Sequence, residues 1–560
     1  MPRVINFNNR QTVEPGVYSQ IKSRANVPTT VGTYGNVFLI DTGIGNTYGW
    51  GAGITGTTAS NGQSIYEFQS LADAKKAIGG GILYDLLDYL FIPTTKGLGA
   101  KKLFYTRAAT TVAATKTITF STGAITVKCK NEGLRGNGSA TSGYLTKGYS
   151  MKLSTGVLDS TKFILKFYEG QYRGKDSNGV EYEVSEASIV QSAKDTLIFQ
   201  SAEFSTVNDL VLWMNGSYLF NLYFKLSAST ASAVALTSGD VTSFSSHQLF
   251  AGGTEDYSTT NMDTVLASIE DVDNSMFLCT DYGTANNITA GVSSGINKGA
   301  NCTSNLKILS HIVNNSTYTE KVMYVGFGDN LNDFALATTG SLAQAAYWNS
   351  QYVVGVHSAI KVPGSTANTA NLGYRELPAL YHAAMWCGRA AGVEPQISLT
   401  YKDIRIIGLS HELKKSERVQ ALLGGVGHTR FVPNMGWVIN QGINTMQQNA
   451  SLVYPDGSSP SIQIMRIIHQ INKELVINAT PRFTGSNINT TSAEDIKLFT
   501  ESFLRDRTAS KLEDDLIIRF ENVQATLTQD IWNVTYCFVP NSEINRTYFT
   551  GYVIDPNISI

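Results

Sequence analysis

Seven histidines, five cysteines and a few acidic or glycine-rich clusters are the residues of this chain whose types could support chemistry, and their spacing argues against most of it. His411-Glu412 lacks the second histidine, four residues beyond the first, that would put two imidazoles on one helix face for zinc. The pair reads better as a surface helix start. Asp271 and Asp273 lack the glycine and the distal glutamate of a calcium loop, so they read as solvated acids. Gly43-x-Gly45 and Gly79-Gly80-Gly81 do not make a GxGxxG turn between strand and helix, and no GxxxxGK followed by Ser or Thr occurs. Loop geometry therefore outweighs phosphate binding. There is no GxSxG elbow, and no Cys/His pair carries a nucleophile's local signature. His382 lies in an apolar stretch and reads as a packed residue rather than a ligand, and the histidines do not cluster in sequence. No catalytic, metal or cofactor-binding residue is assigned, so the expected protein is not an enzyme and needs no cofactor.

Composition sets the outer bounds. A chain of 560 residues exceeds one core and implies roughly three or four domains. With 42% hydrophobic and 16% charged residues, it suits a protein whose surfaces other subunits cover. A formal net charge of −2 argues against nucleic acid as an electrostatically held partner. No apolar run reaches the roughly eighteen residues that membrane insertion needs. Met1-Pro2-Arg3 leads into Asn-rich sequence, so no secretory signal is expected. Cys129, Cys279, Cys302, Cys387 and Cys537 are odd in number and scattered, as reduced thiols of a cytoplasmically made protein would be.

The elements that would position any site alternate between helix and strand. Val37 to Asp41 is a short apolar strand, followed by a Gly/Thr/Ser-rich loop to Gly62. Ser70 to Ala77 and Ile82 to Leu90 read as helices, the second with Leu83, Leu86, Leu87 and Leu90 on one face; Lys102 to Arg107 is a strand. From about Thr110 to Ser246 the texture becomes Thr/Ser/Val-rich alternation with turn signals at Gly123, Gly138, Gly170 and Asn178-Gly179. That block predicts an inserted, mainly β domain. Helices at Met262 to Glu270, Ser304 to Asn314 and Pro378 to Ala391 then alternate with strands at Ser275 to Cys279, Lys321 to Gly326 and Tyr352 to Val356. Asp333 to Leu336 is expected in a further helix. This alternation predicts a parallel sheet faced by helices.

Beyond Tyr401 lies a third unit. Ile464, Ile468, Ile471 and Leu475 line one helix; Ile496, Phe499, Phe503 and Leu504 line another behind the capping signal Thr491 to Asp495. Strands at Trp437 to Ile439 and Leu516 to Leu527 surround them. The fold class is therefore mixed α/β and multidomain. It comprises an extended N-terminal arm (1–20), a discontinuous α/β core (21–109 and 249–400), an inserted β domain (110–248), a C-terminal α+β domain (401–540) and a C-terminal arm (541–560).

Both ends carry strand-like sequence with little local sequence to pair with. Val4 to Phe7 and Val13 to Tyr18 open the chain; Asp530 to Val539 and, after Pro540, Ile544 to Ile554 close it. The first eighteen residues show no helical period and no hairpin turn, and at roughly 3.3 Å per residue they reach about 60 Å. Their backbone groups need a partner edge, which strand addition to another copy supplies. Val13, Val17, Tyr18, Ile544, Tyr548 and Tyr552 are the expected contacts. The chain reads as a protein linked to copies of itself.

Several stretches, in order, resemble a known family. They are Pro15-Gly16-Val17-Tyr18 with Val31-Gly32-Thr33-Tyr34-Gly35, Phe68 to Ala74, Gly99-Ala100 before Tyr105-Thr106-Arg107, and Gly133 to Asn137. Phe250 to Tyr257 follows, with Glu255-Asp256 departing from the family's usual Asp-Gly. Then come Ala383 to Arg389, Ser398 to Lys402, Gly424-Gly425-Val426 and Gly442-Ile443-Asn444-Thr445. Together they resemble the tail sheath proteins of contractile bacteriophage tails through most of the chain. The resemblance implies a virion protein assembled in the bacterial cytoplasm, polymerising as stacked six-fold rings around a tail tube. Its implied partners are itself, the tube protein, and baseplate and terminator proteins. It also implies an outward-facing β domain and a tube-facing wall formed by helices at Ile462 to Ile477 and Ala493 to Thr508, with Gln463, Arg466, Lys473, Lys497, Glu501 and Arg505 as candidates. A contractile bacteriocin or extracellular injection device, which uses a similar sheath, is the alternative. A nucleotide-binding α/β enzyme is the remote one.

Overall fold

Val37-Phe38-Leu39-Ile40 is a continuous apolar run, the composition of a strand buried on both faces. In the computed structural model of the chain these residues are fully buried in the strand Asn36–Asp41, within a seven-stranded sheet. The structure describes residues 5–7, 10–12, 34–41, 65–78, 82–97, 99–120, 123–132, 136–141, 144–155, 161–169, 172–175, 181–183, 195–200, 203–204, 206–217, 220, 224–228, 246–257, 259–269, 276–280, 303–314, 321–328, 333–337, 340–363, 374–446, 461–485, 492–508, 516–528 and 531–541. The chain divides into two compact units: residues 33–394 with 401–453, and residues 1–32 with 395–400 and 454–560.

The sheet of the larger unit runs Val426–Gly427, Val353–Val356, Val322–Gly326, Met276–Thr280, Asn36–Asp41, Lys102–Arg107, Tyr66–Phe68. Its strands are parallel except Tyr66–Phe68, which pairs antiparallel at the edge. Parallel neighbours need crossovers, and helices Thr259–Ser268, Thr303–Asn314 and Ser341–Trp348 supply them. Met262, Val265, Ile308, Ile312, Ala345 and Trp348 from these helices share one core with Phe38, Ile40, Met323 and Val325. On the opposite pleat, a Cβ on Gly326 would lie 2.5 Å from the Ala379 carbonyl carbon. Helix Ala379–Ala391 therefore packs backbone-close on the sheet, and all thirteen of its residues are buried. Segment Asp333 to Leu336, expected in a helix, forms a turn instead, and the helix begins at Ser341 after Gly340. Its short apolar run lacks a second helical turn before Thr338-Thr339-Gly340 interrupts it.

The β-rich block between residues 109 and 257 holds two four-stranded antiparallel sheets. One runs Asp195–Gln200, Lys162–Glu169, Tyr149–Thr155, Gln248–Leu249; the other runs Phe224–Ala228, Gly123–Glu132, Ala109–Phe120, Thr254–Tyr257. Alternate residues of both, including Val127, Met151, Leu165, Phe199 and Leu226, enter one core. Phe224 lies at its centre, 4.9 Å from the Phe167 ring and 5.4 Å from that of Phe250. The block also contains a helix, Val207–Asn215, that the alternation pattern did not predict. It is opened by the Thr206–Asp209 capping box and buries Val207, Leu210, Val211 and Met214 at helical spacing.

The smaller unit corrects the reading of both termini. Ile5–Phe7 pairs antiparallel with Arg10–Thr12, so the start of the chain does fold on itself. Only Asn8-Asn9 separates these strands in sequence, and asparagine tolerates the left-handed backbone of tight turns. Ile531–Pro540 pairs with Ile517–Thr528, so this strand too has a local partner. Helices Ile462–Phe483 and Ala493–Arg505 join that hairpin in one core through Ile467, Ile471, Leu475, Phe503, Leu504, Ile517 and Phe538. The longer helix is buried almost all round through Gln470, although Pro481 and Arg482 of its last turn are exposed.

Candidate functional site

Parallel pairing of Val356 with Gly427 brings the residues after the two strands together. Those residues are His357 and His428, and His357 N–H donates to the Gly427 carbonyl at 3.0 Å. Helix 379–391 adds His382, and the segment before helix Lys415–Leu423 adds His411. All four imidazoles are buried. His382 Nδ1 lies 3.1 and 3.0 Å from the carbonyl oxygens of His357 and Ser358. Facing two acceptors, that nitrogen carries the proton, so Nε2 accepts from the Thr429 hydroxyl at 2.8 Å. Trp386 Nε1 donates to the same hydroxyl at 3.3 Å. Ser358 has a left-handed φ of 81°, and its Oγ accepts from His411 N–H at 3.0 Å. Such a conformation in a serine persists only where its surroundings fix it.

A second chain of contacts leads outward. Ser341 Oγ lies 2.8 Å from His357 Nδ1, His357 Nε2 3.0 Å from His411 Nδ1, and His411 Nε2 3.6 Å from Glu417 Oε2. The Phe334 ring covers it, 5.1 Å from that of His357. Burial pushes His382 and His428 down to about 4, and holds His357 well below the usual imidazole range. His411 is lowered by burial too, with Glu417 opposing. At neutral pH the cluster is a set of uncharged donors and acceptors. Ser341 is fully buried, which leaves it no access to a substrate. Among the described residues no group of three His, Cys, Asp or Glu is placed to hold a metal ion. His382 is packed as the sequence suggests, while its partners come from positions no sequence window joins. The clue was topological: residues that follow adjacent parallel strands converge.

The arm residues Val13, Val17, Tyr18, Ile544, Tyr548 and Tyr552 lie outside the described residues. Of the tube-facing candidates, Gln463 and Arg466 are buried within the chain, and Gln463 Nε2 donates to the Gln396 carbonyl and, at 3.2 Å, to that of Asn541. Lys473 is half-buried. Helix 493–505 is amphipathic and presents Arg505 and Leu498 to solvent, with Lys497 3.7 Å from Glu494 and 4.0 Å from Glu501. Hairpin 517–540 is largely exposed along its first strand and pairs with no further strand among the described residues.

No family model matches the chain. A tail sheath protein of Bacillus phage SP01 is 23% identical over 574 residues, spanning 95% of this chain and 94% of that protein. Over nearly its whole length the chain is similar to a phage tail sheath protein. The sheath tail protein of Desulfitobacterium hafniense shares the fold, with a TM-score of 0.52 at 14% identity over 94% of this chain and 99% of that one. The sheath tail protein of Listeria innocua gives 0.46 at 16% identity, over 91% and 96% of the two chains. Two of the sheath-like stretches meet physically. Gly425, at φ 72°, would bring a Cβ within 2.6 Å of the Thr445 carbonyl oxygen, so Gly424-Gly425-Val426 and Gly442 to Thr445 require each other. Asn137 and Gly253 form a second such pair, exchanging two hydrogen bonds of 2.8 Å inside the β-rich block.

Proposed function

We infer that the chain is the contractile sheath subunit of a phage tail, polymerising as helically stacked hexameric rings around a tail tube and shortening to drive that tube through the host envelope. The observation that carries this reading is the end-to-end relationship to a phage tail sheath protein, with 95% of one chain matched to 94% of the other. The protein is a structural part of the tail, and energy for contraction resides in the packing of subunits in a metastable lattice. The arms at residues 1–20 and 541–560 add strands to neighbouring copies, and hairpin 517–540, paired with no further strand among the described residues, is the acceptor. The β-rich block between residues 109 and 257 faces outward. The exposed face of helix 493–505, rather than the buried Gln463 and Arg466, faces the tube. Tube, baseplate and terminator proteins are the partners. Electron microscopy of the purified chain, produced without a tube protein, tests the assignment. Hollow tubes or stacked rings are expected, and discrete monomers at high concentration would contradict it.

A further inference from the structure

The hydrogens along Ser341, His357, His411 and Glu417 can be arranged in two directions. In one, every hydrogen points toward the carboxylate: Ser341 Oγ donates to His357 Nδ1, His357 Nε2 donates to His411 Nδ1, and His411 Nε2–H faces Glu417 Oε2 across 3.6 Å, an oxygen that also accepts from Lys414 N–H at 2.7 Å. Both imidazoles are then neutral, each with one donor and one acceptor. In the other, Ser341 Oγ donates to the Asp333 carbonyl oxygen, 3.3 Å away, and must accept from His357 Nδ1–H. His357 Nε2 then accepts from His411 Nδ1–H, which turns a lone pair of His411 Nε2 onto a carboxylate oxygen. Two acceptors facing each other repel, so this direction requires a proton on His411 Nε2.

The two directions thus differ by one proton, delivered at the end of the chain nearest water. Glu417 keeps 20% of its side chain exposed, whereas Ser341 is fully buried. Other charges face the relay: Lys414 beside His411, and Arg418 and Arg430 beside His428. His382 and His428 stand beside His357, and Glu376 accepts from Ser410, next to His411. We propose that these four residues form a one-proton switch, in which proton uptake at His411 reverses the hydrogen bonds and hands the Ser341 hydroxyl from His357 to the Asp333 carbonyl. The solvent supplies the proton, and no covalent bond changes. Ser341 is the first residue of helix 341–348 and Asp333 belongs to the turn before it, so the reversal changes how that helix start is anchored.

Hydrogen exchange read by mass spectrometry on the full chain, at about pH 8 and about pH 5 with intrinsic rates divided out, tests this. Wild type is expected to change protection in segments 333–348 and 408–423 at least about threefold between the two conditions. His411→Asn keeps a hydrogen-bonding group opposite His357 but takes up no proton, and should show no such change. Glu417→Gln removes the charge that favours the imidazolium, so its response should move to lower pH. A thermal melt at the higher pH establishes that each variant is folded; should His411→Asn fail it, Glu417→Gln decides alone. The switch is overturned by a wild type that shows no change before it unfolds, by His411→Asn responding as wild type does, or by an unmoved midpoint in Glu417→Gln.

Discussion

At the scale of single residues, the cost of this fold lies in its buried imidazoles. His382 and His428 have an ordinary value of 6.5 and are pushed down to about 4 by burial. Above the ordinary value both folded and unfolded chains hold them neutral, and their packing contributes in full. As pH falls below 6.5 the unfolded chain takes up protons first, so stability is lost progressively until the folded groups titrate near 4. Each site accounts for about 3 kcal/mol at the acid end of that window. Thermal unfolding should therefore soften between pH 6.5 and 4, and His428→Leu should flatten the profile while changing stability near neutrality by less than about 1 kcal/mol. A profile in His428→Leu as steep as that of wild type would dismiss burial of this imidazole as a cause. Gly355 offers a steric test. A Cβ there would stand 1.8 Å from Phe327 Cε2, inside the sheet, so Gly355→Ala should cost about 1–3 kcal/mol, read from the denaturant midpoint. Phe327→Leu in the same chain should restore part of that loss, because the offending ring atoms are gone. Little at this scale was legible in the sequence. His382 reads as a packed residue, but positions 357, 411 and 428 converge only because parallel strands place them side by side. The left-handed backbone of Ser358 carries no sequence signal at all.

At the scale of elements, legibility follows how local the determining signal is. The run Val37 to Ile40 and the alternation after Met262 encode buried parallel strands and their helices through short windows, and the sheet holds them in the expected parallel pairing. Helix 493–505 is announced by its cap as well as its apolar face. Ser492 Oγ accepts from Asp495 N–H at 3.1 Å, and Ser492 N–H donates back to Asp495 at 3.0 Å. Ser492→Ala should cost about 1 kcal/mol, with the loss seen as faster exchange of the helix's first-turn amides. An unchanged exchange pattern would mean that tertiary packing alone holds this helix start. The elements missed are those whose signal is weak or overruled. Helix 207–215 sits inside a β-rich composition, where its capping box Thr206–Asp209 was the better guide. The 5–12 hairpin has strands of three residues, too short to show alternation. Strands 517–528 and 531–540 are long enough, and the two residues between them are the separation a tight hairpin needs.

At the scale of the whole molecule, the hairpins narrow the part of each end to which the proposed strand addition applies. The backbone of Ile5–Phe7 and Arg10–Thr12 already has partners, as does that of Ile531–Pro540. Under the proposed linkage between copies, strand addition falls to the strand-like sequences at Val13 to Tyr18 and Ile544 to Ile554. A two-stranded sheet is marginal by itself, and the hairpin 517–540 gains from the helix core it joins. Removing residues 542–560 should leave both compact units folded, as expected of a segment that pairs with a neighbouring copy. The same chain should fail to build tubes, since each copy would lose a strand offered to its neighbour. Removing residues 13–18 alone, which spares the 5–12 hairpin, should give the same outcome. Sedimentation and electron microscopy read both, with circular dichroism confirming that the shortened chains keep their secondary structure. Tubes that assemble normally from either chain would show that the lattice is held by the globular bodies, and that the ends are not its links.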